Sequence, residues 1–435
     1  MKYSIITFGC RVNQADSLEV EEQLRAAGGQ PSSPESADVV VVNTCSVTAT
    51  ADQGARQTIR RVARHNPAAQ IVVTGCYATR KPIDLSNLPG VVSVVPNEKK
   101  GQVASAALWL GRRERSRQAE GEVTTVERFG TGDGSCGATI EPGVAGRTAF
   151  TLRVQTGCDE PCAYCIIPTT RGPGRSRPVN DLLDEVERVV RAGFKEIALT
   201  GVHLGSYGRD LTGSGALDLT GLLRQLDSRS DDVRFRISSL EPMDCSRAIV
   251  DLVSKSDRFA EHFHLPLQHA SQAVLQSMRR PYTLDRYCQL VDDIRARMPN
   301  AAIGSDIIVG FPGETDRDVE LLLRYLADSP LTYLHVFPYS DRPGTRAATM
   351  STKVPGEAIR ARAEDVRRIG AVLALRFKQS QVGTIHRGLT IDDGSVAVTG
   401  NHLKVRIAPG TKRNEWVDLR VTSSGDPITG ECVRH

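Results

Sequence analysis

Between residues 148 and 377 short apolar runs alternate six times with helical patterns, and this alternation narrows the possible folds more than any other feature of the chain. Strands are expected at 150–155, 196–200, 234–238, 263–267, 303–309 and 332–337. Helical periodicity occupies 180–192, 246–255, 284–298, 316–327 and 357–377. Apolar runs separated by helices read as parallel strands joined by crossovers. Six such units fall two short of a closed eight-unit barrel, so residues 148–376 are expected to form an open (βα)6 partial barrel.

The flanking segments have different textures. Within residues 1–111 short strands at 3–8, 39–42 and 71–74 alternate with helices at 14–27 and 51–64, the pattern of a smaller parallel-sheet α/β domain. Residues 112–147 open with Arg112-Arg113-Glu114-Arg115-Ser116-Arg117 and continue into Gly-rich stretches, which reads as a solvated linker rather than an RNA-binding arm. From 377 to 435 short alternating segments at 396–399, 404–407 and 416–421 are separated by Asp-Gly, Pro-Gly and Ser-Gly turns. That texture suits a small antiparallel β-barrel.

Composition excludes several classes. With 40% hydrophobic and 24% charged residues the chain is neither fibrous nor disordered. The net charge of +4 is too small for a protein that coats nucleic acid nonspecifically. Its distribution is more informative: +2 over residues 1–110, 0 over 111–150, −1 over 151–375 and +3 over the last 60. Lys404, Arg406, Lys412, Arg413 and Arg420 make the C-terminal module mildly basic, in keeping with a localised RNA contact or with a solvated face. No apolar run approaches the roughly 20 residues that span a bilayer, and the N-terminus enters a strand pattern at once, so a cytoplasmic protein is expected. Ten cysteines in a reducing compartment are candidates for ligands rather than disulfides.

Cys158, Cys162 and Cys165 stand in the stretch Gly157-Cys158-Asp159-Glu160-Pro161-Cys162-Ala163-Tyr164-Cys165, directly after the first strand of the central domain. Three thiolates at this spacing can hold three corners of a [4Fe–4S] cube and leave one iron open. The competing reading is structural zinc, which wants a fourth ligand, and the nearest histidine, His203, lies some 40 residues on. The spacing and its place after a first barrel strand resemble the radical S-adenosylmethionine (SAM) enzymes. The resemblance implies that SAM chelates the open iron and is cleaved to a 5′-deoxyadenosyl radical. It also implies a SAM-binding rim at the carboxyl ends of the strands, near Thr200, Gly201, Gly310, Gly313 and Glu314.

Cys10, Cys45 and Cys76 lie far apart, but each follows a strand, in Gly9-Cys10, Thr44-Cys45 and Gly75-Cys76. In a parallel sheet all three emerge on one edge, where open α/β sheets build sites. A second three-thiolate site therefore competes with three unrelated buried cysteines. Two such sites, together with Arg234–Pro242, His264–Gln268, Met278-Arg279-Arg280 and Asp306–Thr315, resemble the radical-SAM methylthiotransferase family over essentially the whole chain. One departure is His269-Ala270, where the family usually has a small pair such as Ser-Gly.

The resemblance implies an auxiliary [4Fe–4S] cluster on Cys10, Cys45 and Cys76 that carries added sulfur, methylated by one SAM while a second SAM supplies the radical. The C-terminal module corresponds to a TRAM domain. The segments around Cys10, Cys45 and Cys76 look like the branch that acts on N6-threonylcarbamoyladenosine at position 37 of tRNA. Expected partners are then the tRNA anticodon loop and an external one-electron reductant. Neighbouring branches act on N6-isopentenyladenosine in tRNA or on a ribosomal-protein aspartate. A noncatalytic iron–sulfur RNA-binding protein is the alternative of another class. Arg11 or Arg279 could meet the threonyl carboxylate, while Cys136, Cys245, Cys288 and Cys432 are read as nonligands.

Overall fold

The computed structural model describes residues 1–118, 148–213 and 216–433. They divide into two compact units. The first holds the N-terminal segment together with Thr156–Glu160 and Cys165–Pro173; the second holds residues 148–155, Pro161–Tyr164 and the remainder from Gly174.

In the first unit β1 (Lys2–Thr7), β2 (Gln30–Pro31), β3 (Val39–Thr44), β4 (Gln70–Gly75) and β5 (Val91–Val95) form one sheet in the order β2-β1-β3-β4-β5. All its pairings are parallel. The period of two sorts the valines. Val40, Val42 and Val73 pack on one face with Ile59, and Val39, Val41 and Val72 on the other with Leu24 and Val103. The helices are α1 (Arg11–Ala26), α2 (Ala49–His65), the short α3 (Cys76–Arg80) and α4 (Pro82–Ser86), and α5 (Val103–Gln118). The last corrects an expectation, since residues 112–118 continue a helix rather than begin a linker. Arg, Glu and Gln are good helix formers, and no Gly or Pro interrupts Arg112–Gln118. The rest of the expected linker, with Cys136, lies outside the described residues.

The second unit carries six parallel strands in chain order. They are β6 (Phe150–Arg153), β9 (Glu196–Thr200), β10 (Arg234–Ile237), β11 (His262–His264), β12 (Ala302–Val309) and β13 (Tyr333–Pro338). Parallel bridges Phe235↔Phe259 and Ser239↔His264 join the two halves of this open barrel. β7 (Gln155–Thr156) and β8 (Arg175–Ser176) are two-residue strands beside the loop after β6. The helices are α6 (Ile167–Arg171, grouped with the first unit), α7 (Val179–Arg191), α8 (Leu219–Asp227), α9 (Arg247–Lys255), α10 (Gln272–Ser277), α11 (Leu284–Arg297), α12 (Asp316–Asp328) and α13 (Gly356–Ser380). On β13 Leu334 faces α13, 3.4 Å from the position a Cβ would take on Gly370. Alternation therefore turns Tyr333, His335 and Phe337 to the inner face.

The C-terminal module closes as a five-stranded barrel of β14 (Ile385–Ile391), β15 (Val396–Thr399), β16 (Lys404–Arg406), β17 (Trp416–Ser423) and β18 (Ile428–Cys432). It departs from the expected antiparallel pattern at one seam, where β16 and β18 pair in parallel to close it. Val405, Leu419 and Val421 fill its core. A buried triad ties it to the partial barrel. Glu196 receives Arg234 at 2.5 Å and Arg236 at 3.0 Å. The same guanidinium groups donate to the carbonyl oxygens of Arg387, Val398, Thr399 and Gly400 at 2.9–3.1 Å. No helix among the described residues is long and apolar enough to cross a membrane.

Candidate active site

Parallel pairing of β1, β3 and β4 delivers Cys10, Cys45 and Cys76 to one edge of the first sheet. Gly75 makes the turn between β4 and Cys76 with φ of 97°, and a Cβ there would lie 2.2 Å from the Thr44 carbonyl oxygen. Cys45 and Cys76 are buried and Cys10 is exposed. Burial pushes the Cys45 thiol up to about 11, and the neighbouring Cys76 and Cys10 push it the same way. The three sulfurs therefore share one electrostatic neighbourhood. Cys45 Sγ accepts from the Val47 amide at 3.5 Å, and Asn97 Nδ2 points at Cys76 Sγ from 3.7 Å.

A buried polar network backs these thiols. Asn13 Nδ2 donates to the carbonyls of Phe8 and Thr44 at 2.8 and 3.0 Å, holding the turns before Cys10 and Cys45. Asp16, with its side chain fully buried, accepts from Lys100 Nζ at 2.5 Å and from Arg171 at 3.0 Å. Arg171 also donates to the Asn13 side-chain oxygen. Lys100 reaches Asn43 and Asn97 at 3.1 and 3.2 Å, and Asn97 in turn donates to the Thr170 carbonyl at 2.8 Å. Asp16, Lys100, Asn97 and Arg171 were not marked out by sequence spacing; lone polar residues on helices and loops gave no signal.

The loop with Cys158, Cys162 and Cys165 is shaped by Gly157, whose φ is 75° and where a Cβ would meet the Pro173 carbonyl at 1.9 Å. The Cys158 amide donates to the Gly172 carbonyl at 3.1 Å. Amides of Glu160 and Ile167 point at the sulfurs of Cys158 and Cys165 from 3.4 and 3.5 Å. In the second unit Arg280 donates to Cys162 Sγ at 3.0 Å and pairs with Glu241. All six cysteines are free thiols, and five of them receive N–H donors. Thiolates that ligate iron accept such bonds, so the donor set fits [4Fe–4S] ligation.

The strand ends bear the expected rim. Thr200 ends β9 and is buried, and Gly201 has Gln155 Oε1 3.1 Å from the position of a Cβ. Gln155 also accepts the amides of Val202 and His203 at 3.0 Å each. Glu314 Oε2 accepts the Gly310 amide at 2.8 Å, and its Oε1 accepts from Arg362 at 2.8 Å, which fixes the Gly310–Gly313 turn. Lower on the inner face His264 Nε2 and His335 Nδ1 converge on Asp306 Oδ1 at 2.9 and 3.2 Å. Tyr333 Oη contacts His264 Nδ1 at 3.0 Å and His262 Nε2 at 2.8 Å. Burial alone would raise Asp306, but the two imidazoles hold its carboxyl down to about 2. The inner wall is thus polar. Arg11 is partly buried and Arg279 exposed; Cys245 is buried, Cys288 partly buried and Cys432 exposed.

Residues 2–96 match the family described as uncharacterized protein family UPF0004, and residues 152–326 match the Radical SAM superfamily. A threonylcarbamoyladenosine tRNA methylthiotransferase, MtaB, of Bacillus subtilis is 32% identical over 98% of this chain and 95% of its own length. The protein of the same name from Aquifex aeolicus is 34% identical over 93% of this chain and 96% of its own. Among solved structures, the radical SAM methyltransferase TsrM of Kitasatospora setae shares the fold with a TM-score of 0.55 at 15% identity, covering 80% of this chain and 73% of that one. The fold and the thiol-bearing loop define a radical-SAM enzyme. The chain belongs to the radical-SAM methylthiotransferase family, whose cofactors are SAM and [4Fe–4S] clusters, and within it resembles the MtaB branch.

Proposed function

We propose that this enzyme methylthiolates C2 of N6-threonylcarbamoyladenosine at position 37 of tRNA, using two SAM molecules and two [4Fe–4S] clusters. Cys158, Cys162 and Cys165 hold the SAM-binding cluster, and Cys10, Cys45 and Cys76 hold the auxiliary cluster. The observation that carries this reading is the second thiol set: three cysteines at the ends of three adjacent parallel strands, with a common electrostatic neighbourhood.

The bond to be broken is an aromatic C–H, beyond the reach of a side-chain base. Cluster and SAM supply the radical and the sulfur for that exchange. The chain's own residues position and enclose the reactants. In the SAM rim of Thr200, Gly201, Gly310, Gly313 and Glu314, Gly313 leaves open space beside its backbone, Gly201 packs against Gln155 and Gly310 against Ile359, and Glu314 holds the Gly310 turn. Arg280 supports Cys162, and the Val47, Glu160 and Ile167 amides orient the other sulfurs.

A splayed anticodon-loop base can enter the barrel mouth where a paired base could not. The His264–Asp306–His335 wall favours a polar N6 substituent. An isopentenyl group there would desolvate these polar side chains without replacing their hydrogen bonds. The exposed Lys404 and Arg406 of the C-terminal barrel suit contact with the RNA backbone, and an external one-electron reductant serves the SAM cluster.

Mass spectrometry of tRNA nucleosides from cells with and without the gene tests the reading. The methylthio-threonylcarbamoyl nucleoside should disappear on deletion. Loss of the methylthio-isopentenyl nucleoside alone assigns the neighbouring branch, and unchanged tRNA points to the ribosomal protein.

A further inference from the structure

Three adjacent strands of the partial barrel bring a further set of donor atoms together on their inner face. β11, β12 and β13 pair in parallel, with His264 opposite Gly304, Gly304 opposite Tyr333 and Asp306 opposite His335. Gly304 lets the outer two strands meet. A Cβ there would lie 1.9 Å from the Tyr333 ring, so the ring crosses the gap and its Oη stands 3.0 Å from His264 Nδ1. Asp306 follows Gly304 on the same face of β12, and its Oδ1 is approached by His264 Nε2 at 2.9 Å and His335 Nδ1 at 3.2 Å. One donor atom from each of His264, Asp306 and His335 lies within 4.8 Å of the other two. In the same unit Glu196, Glu241 and Glu314 are each paired with arginine, which cannot ligate a metal. Asp306 is faced instead by two imidazoles, which can.

We propose that His264, Asp306 and His335 form a binding site for a divalent transition-metal ion, with zinc as the ion to test. Ligand atoms at about 2.0–2.2 Å from zinc stand roughly 3.0–3.5 Å from one another, close to the two separations found here. Two imidazoles and a carboxylate suit such an ion. Neutral imidazole ligates through the nitrogen that carries no proton, so the proton of His264 goes to Nδ1 and that of His335 to Nε2. His264 Nδ1–H then donates to Tyr333 Oη, whose hydroxyl donates to His262 Nε2 at 2.8 Å. This is the outer support that fixes the tautomer of a ligating histidine. Exposure leaves one side open. The His264 side chain is 7% exposed, Asp306 23% and His335 56%, so the ion is backed by His264 and keeps free positions towards the inside of the barrel. Three protein ligands with open positions accept an oxygen donor, water or a substrate carboxylate, rather than closing as a structural site does. The site uses none of the six candidate ligand cysteines and stands whichever branch the enzyme belongs to.

The test uses the full chain after anaerobic cluster reconstitution. Parent, His335→Gln and Asp306→Asn are loaded with zinc, desalted and assayed for metal. The parent should retain about one zinc per chain more than either variant. Iron is counted in the same samples, so a failure of the cluster assignment shows separately from a failure of the zinc site. His335 is more than half exposed, so its replacement spares the core, and an unchanged unfolding midpoint shows that the variant is folded. His335→Gln decides alone should Asp306→Asn not fold. Zinc-edge X-ray absorption of the parent needs no variant and should show nitrogen and oxygen ligands, imidazole among them, without sulfur. A parent that binds no zinc overturns the proposal, as does equal zinc in the parent and a folded His335→Gln. Sulfur scattering from the bound ion also overturns it, because the ion then sits on cysteine.

Discussion

At the scale of single residues, charge burial decides more than exposure. Glu196 is wholly enclosed between Arg234 and Arg236. Burial alone would raise its carboxyl, yet the two guanidinium groups hold it down to about 2. Its ionised form therefore stabilises the fold fully above the ordinary carboxylate range, and that contribution fades as pH falls towards 2. Glu196→Gln removes the shared anion and leaves two buried cations, so a loss on the order of 3–5 kcal/mol is expected at neutral pH. Denaturant unfolding at pH 7 measures it, and a change below about 1 kcal/mol would show that solvent already relieves the pair. The two proposed ligand sets can be told apart by mutation. Changing Cys158, Cys162 and Cys165 to Ala should abolish 5′-deoxyadenosine formation. Changing Cys10, Cys45 and Cys76 to Ala should spare SAM cleavage under reducing conditions and abolish the methylthio product. Undiminished product in the second variant would show that sulfur arrives by another route.

At the scale of elements, the C-terminal barrel is both a packed body and a candidate RNA contact. Its core of Val405, Leu419 and Val421 is its own, while Phe377 of α13 packs into the same cluster. A deletion should therefore begin after Ser380, where α13 ends. It is expected to weaken tRNA binding and flatten the dependence of affinity on salt, because Lys404, Arg406, Lys412, Arg413 and Arg420 are removed together. Equal affinity and equal salt slope in the truncated chain would locate the contact in another element. The same deletion exposes Arg234 and Arg236, so its unfolding midpoint must be compared at matched pH.

At the scale of the whole molecule, much of the architecture was legible along the chain. The six barrel strands and the three strands before Cys10, Cys45 and Cys76 were visible as apolar runs; β3, β4, β9, β10, β11 and β12 are buried along nearly their whole length, while β1, β6 and β13 keep partly exposed residues. The two-residue β2, the β5 strand and the parallel β16–β18 seam were not, because short or half-exposed strands carry little apolar periodicity. Helix α5 ran past the expected boundary because its Arg-rich tail looks like a linker by composition while its residues favour helix. The six candidate ligand cysteines were legible, three by local spacing and three by their common place after strands.

What the sequence alone determined was whatever depends on near neighbours: strand and helix periods, glycine turns and the spacing of Cys158, Cys162 and Cys165. Only the tertiary structure decided which charges are buried together. Arg171 and Asp16 stand 155 residues apart, and Glu196 and Arg236 stand 40 apart, with no period or motif linking either pair. Such partners meet because parallel sheets and loop closure bring distant backbone together. A charged side chain in a sequence looks the same whether it will face solvent or a sealed cluster site, and burial alone separates the two.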